Sequence, residues 1–139
     1  MHHAERDPTA QSHERMAAGF MVAHFLTQLV GGLFGAAIFV GLGGAVAVLG
    51  AVEKELGALA FGGMFSGFGV LIGIVLLVNA IPAALAAWGM WRGSVWRQIA
   101  AIAAAGLAIT QFPVGTLFAI GTLWCTWQGH EAQKKADAR

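Results

Sequence analysis

Three long stretches of the chain carry no charge, and every charged residue lies between or beyond them. Ala17 to Val52, Leu56 to Trp91 and Gln98 to His130 contain no carboxylate, lysine or arginine. Glu53, Lys54 and Glu55 separate the first stretch from the second, and Arg92 and Arg97 separate the second from the third. The remaining charges fall before Met16 or after His130. Uninterrupted apolar runs of this length read as membrane-crossing helices.

The first run would extend ~54 Å as one helix, against a hydrocarbon core of ~30 Å. Its span is therefore placed at about 22–48, tilted, with its first turns at the interface. The second run has a glycine-rich start, around 58–69, open to an irregular interfacial approach, and a convincing body at 70–91. Neither run resembles a cleaved signal peptide, whose apolar stretch is ~7–15 residues behind a basic lead. The third run divides at Pro113. Proline removes a donor and biases Phe112 away from helix, and Gly115 permits a tight turn. Segments 94–112 and 113–130 are each ~27–28 Å as helices, just enough to cross.

Charge and tryptophan placement favour four spans over three. Four spans put both tails and the Arg92/Arg97 loop on one side, with seven of the eight lysines and arginines. Only Lys54 is left opposite, the asymmetry expected of cytoplasmic segments. Three spans would divide the basic residues evenly and specify no orientation. Trp88, Trp91, Trp96, Trp124 and Trp127 then all fall at the cytoplasmic interface, an aromatic belt joined by Arg92 and Arg97. The expected fold is an all-α membrane protein of four transmembrane helices, both termini cytoplasmic, with a short hairpin between the third and fourth. Its domains are a polar tail at 1–16, the membrane bundle at 17–130 and a second polar tail at 131–139. A bacterial inner membrane is the expected location.

Composition agrees. Of 139 residues, 58% are hydrophobic and 11% charged, whereas a soluble domain averages roughly 25% charged. A net charge of +1 offers no basic stripe for nucleic acid. A lone cysteine, Cys125, excludes an intrachain disulfide and a dithiol redox pair.

In lipid, helices associate through close backbone approach and a few hydrogen bonds. Small residues at four-residue spacing are the expected packing positions: Gly31 and Gly35 in the first span, Gly63 with Gly67 and Gly69 with Gly73 in the second. The third span is mostly alanine with Gly106, thin enough to be central or pressed against a neighbour. Whether these faces pack within one chain or between chains is open. Pro82 should kink the second span, and Asn79 is placed to satisfy a freed backbone group or bond across to another helix.

Chemistry is sparse. Intramembrane ionisable residues mark proton relays and ion paths, and apart from Arg97 and His130 at the ends of the third and fourth spans, the spans hold only His24. Small multidrug exporters rely on an acidic residue inside the first helix, and this chain has none. Gly31-Gly32-Leu33-Phe34-Gly35-Ala36 resembles the opening of four-helix fluoride channels in its glycines but lacks the arginine that follows there. A di-haem bundle needs facing histidine pairs, and His24 and His130 make at most one. Gly41-Leu42-Gly43-Gly44 is not a phosphate loop, having no following lysine. His24, Thr27 and Gln28 form a small polar cluster, read first as hydrogen-bonding groups and second as a haem or pigment site through His24. Met1-His2-His3 has a spacing that chelates Cu(II) or Ni(II), but it arises readily by chance.

Two segments carry a resemblance. Trp88-Gly89-Met90-Trp91-Arg92-Gly93-Ser94-Val95-Trp96-Arg97, and Gln111-Phe112-Pro113-Val114-Gly115-Thr116 with Gly121-Thr122-Leu123-Trp124, resemble a family of small bacterial integral membrane proteins. That family is of four-span chains of unknown function. It implies the hairpin topology and transfers no activity, cofactor or catalytic residue. Gln111 stands where the family has asparagine.

The expected function is therefore non-catalytic: an accessory or scaffolding subunit packing with itself or with other membrane-protein subunits, in contact with lipid and needing no cofactor. The alternative is a channel or carrier for a small solute, lined by His24, Gln28, Asn79, Thr110 or Gln111.

Overall fold

A computed structural model describes residues 7–138 as four α-helices: α1 (Pro8–Val52), α2 (Leu56–Arg92), α3 (Arg97–Ile109) and α4 (Val114–Asp137). The His2-His3 chelate motif lies outside the described residues. No strand occurs among the described residues. α1 and α2 are long and apolar enough to cross a membrane.

Both expected tails are in part helix. Asp7 caps α1, its carboxylate accepting from the Ala10 N–H at 3.2 Å, and Pro8 takes the first helical position, where its missing N–H costs nothing. α4 continues to Asp137, whose carboxylate accepts from the Gln133 amide one turn earlier. The start of α2 is also regular. Residues 58–69, open to an irregular reading because of their glycines, are helical throughout, since each glycine that meets α1 does so without leaving helical geometry.

α1 and α2 end in the same way. Glu55 N–H bonds to Gly50 C=O and Lys54 N–H to Ala51 C=O, with Lys54 at φ 57°. Ser94 N–H bonds to Gly89 C=O and Gly93 N–H to Met90 C=O, with Gly93 at φ 64°. Each is a Schellman closure, with a left-handed residue satisfying the last carbonyls. The closure at Gly93 and the turn after it delay α3 to Arg97. Its 13 residues make ~20 Å of helix, shorter than the 19-residue span expected from 94 to 112.

The chain forms two compact units, residues 1–26 with 81–139, and residues 27–80. The second is a helical hairpin, the end of α1 against the start of α2. Its arms of 26 and 25 residues are ~39 and ~37 Å long, enough to cross a bilayer. Glycine makes the seam. A Cβ on Gly62 would lie 2.8 Å from the Ala47 Cα, and one on Gly43 would lie 2.6 Å from the Ser66 N. Gly32, Gly50, Gly69 and Gly73 also face the opposite arm, against Leu76, Leu59, Phe39 and Ala36 respectively. Phe39 and Phe65 add a ring contact at 4.8 Å.

The first unit is a four-helix arrangement of the start of α1, the end of α2, α3 and α4. Its core is mostly alanine: Ala17, Ala18, Ala83, Ala86, Ala87, Ala101 and Ala104, with Met21, Met90 and Cys125. Alanine at 101, 104, 105 and 108 repeats once per turn, which gives α3 one buried face. α3 and α4 join through Thr110-Gln111-Phe112-Pro113. A Cβ on Gly115 would strike the Ala108 carbonyl, so only glycine allows this closeness.

Candidate functional site

The polar residues expected in the membrane divide between the two units. Gln28 is buried and Asn79 half-buried in the hairpin unit, while Gln111 is half-buried at the α3–α4 turn of the other. They do not converge within one unit.

His24 is the most enclosed polar side chain of the expected set, at 2% exposure. Its ring lies tilted against Phe118 of α4, centroids 5.7 Å apart. Its Nδ1 finds no hydrogen-bond partner among the described residues. Thr122, one turn along α4 from Phe118, is fully buried, and its hydroxyl also has no partner among the described residues. Sequence reading passed over Thr122, because threonine in an apolar helix is unremarkable until its burial is known. Among the described residues, no three His, Cys, Asp or Glu side chains gather where a metal ion could sit.

A second constellation lies on the first unit, at the ends of α1 and α2. Arg97 Nε donates to Glu14 at 2.9 Å, and its Nη1 donates to the carbonyls of Ser94 and Gly93 at 3.1 and 3.3 Å. One guanidinium thus ties the start of α1 to the α2–α3 turn. Arg92 lies over the Trp88 ring, 4.2 Å from its centroid. The Trp96 ring packs against Gly89, where a Cβ would come within about 3.0 Å of it. Trp124 and Trp127 meet edge to face at 5.6 Å. All five tryptophans are exposed.

The expected packing glycines separate into two groups. Gly69 and Gly73 sit in the hairpin seam, whereas Gly31, Gly35, Gly63, Gly67 and Gly106 have open space where a Cβ would go. The intrachain seam therefore runs one residue over, through Gly32 and Gly62. The reason is continuity: the row from Gly32 continues through Ala36, Gly43, Ala47 and Gly50, while the row from Gly31 and Gly35 runs into Ile38 and Leu42.

Comparison with protein-family models, with curated proteins and with solved structures found no match.

Proposed function

We propose that the chain is a multi-pass protein of a bacterial inner membrane that does no chemistry of its own. It acts as an accessory subunit, packing against a second copy or against other membrane-protein subunits. In this reading the helices cross four times with both termini cytoplasmic. The chain would belong with the small four-span membrane proteins that its 88–97 and 111–124 segments resemble.

The observation that carries the proposal is two pairs of glycines that meet nothing, Gly31 with Gly35 on α1 and Gly63 with Gly67 on α2. Gly31, Gly35, Gly63 and Gly67 leave flat, unfilled backbone on the hairpin unit, beside exposed Leu33, Phe34, Ile38 and Met64. Close-packing surface that the chain does not use for itself suits another helix, because in lipid association comes from backbone approach.

Gentle extraction from the native membrane tests this. The parent should elute with further chains or a second copy. Gly31→Leu with Gly63→Leu should elute alone while melting like the parent. Selective flux through liposomes holding only this chain, lost in Asn79→Ala, would favour the solute-path alternative instead. A co-purified pigment lost in His24→Ala would favour the cofactor alternative.

A further inference from the structure

On the first unit, two cavities meet at a single indole. One is an apolar groove of about 230 Å³ between α1 and α2, walled by Val22, Phe25, Leu26, Ala84, Trp88 and Trp91. The other is a polar recess of about 110 Å³, walled by Gln11, Glu14, Arg15, Trp91, Arg92 and Gly93. Trp91 lines both, so the recess adjoins the groove. The guanidinium of Arg92 is held over Trp88, which fixes a positive charge between the two. Among the described residues, Glu14 is the one carboxylate lining the recess, and Arg97 engages it. Counting that pair as neutral, Arg15 and Arg92 leave the recess with two positive charges.

We infer that this is a binding site for an anionic phospholipid, the acyl chain in the groove and the phosphate between Arg15 and Arg92. A guanidinium matches phosphate oxygens in a two-pronged geometry that a lysine lacks. The two tryptophans are amphipathic, suited to the level where acyl chain becomes headgroup. A zwitterionic lipid would bring its own cation beside two arginines, so the recess selects for net negative charge. This inference rests on the membrane reading above and adds a ligand to it.

The test uses the full chain reconstituted in phosphatidylcholine vesicles, with tryptophan quenching by brominated phosphatidylglycerol or brominated phosphatidylcholine. Flotation with the vesicles is checked first; a chain that does not float contradicts the membrane reading rather than the site. In a floating chain, phosphatidylglycerol should be preferred roughly thirtyfold, as two arginines near an anionic lipid imply. Arg15→Gln with Arg92→Gln should bring the preference close to unity. Lys134→Gln with Lys135→Gln, which removes equal charge elsewhere, should leave it intact. Ala84→Phe, which fills the groove, should weaken quenching by both lipids. Equal quenching by the two lipids in the parent would overturn the site. So would equal loss of preference in the arginine and lysine variants, since the effect would then be diffuse surface charge.

Discussion

His24 sets the residue-scale question, because burying an imidazole nitrogen without a partner costs ~1–3 kcal/mol. Phe118 packs on its ring but offers nothing to Nδ1. If the residue were there for stability alone, a flexible apolar side chain would serve better. His24→Met should therefore melt at or above the parent temperature in detergent, with a gain of up to ~2 kcal/mol. A drop of that size would mean that the imidazole makes a bond the fold needs. Arg97 is the opposite case. Its guanidinium holds Glu14 and two turn carbonyls at once, with both side chains mostly buried. Arg97→Ala should lower stability by ~1–2 kcal/mol after allowing for partial solvent screening. Lys134→Ala, on the exposed end of α4, should be silent in the same melt.

At the scale of elements, the glycines decide what the sequence can and cannot convey. Four-residue spacing points to close packing, and Gly69 and Gly73 lie against the opposite arm. Spacing could not say which of two adjacent rows faces inward, because Gly31 and Gly32 differ by one helical step of ~100°. What selects the row is the run of small residues beyond it, visible only over five turns. Gly62→Ala should cost ~1–3 kcal/mol by forcing the two arms apart at Ala47, while Gly63→Ala should be neutral or slightly stabilising. Thermal melts of the two variants side by side check this, and equal effects would contradict the seam. The α1–α2 closure gives a second test. Lys54 adopts a left-handed conformation that glycine adopts freely, as Gly93 does at the equivalent place. Lys54→Gly should stabilise the chain by ~0.5–1 kcal/mol, and Gly93→Ala should destabilise it by about as much.

For the whole molecule, charge segregation makes the helices legible in the sequence, since the three uncharged runs fall within α1, within α2 and within the α3–α4 pair. Pro113 and Gly115 located the last turn. The ends of the helices were less legible, because capping by Asp7 and the two Schellman closures depend on hydrogen bonds that hydropathy does not register. The lipid recess was hidden for a different reason: Arg15 and Arg92 are 77 positions apart in sequence and meet only through folding. The central claim is that the chain crosses the membrane four times with both ends inside. Single cysteines at positions 55, 94, 111 and 135, in a Cys125→Ala background, report it directly when intact cells meet an impermeant thiol reagent. Positions 55 and 111 should label from outside, and 94 and 135 only after the cells are opened. Labelling at 135 from outside, or protection of 111 in cells where 55 reacts, would contradict the four-crossing account.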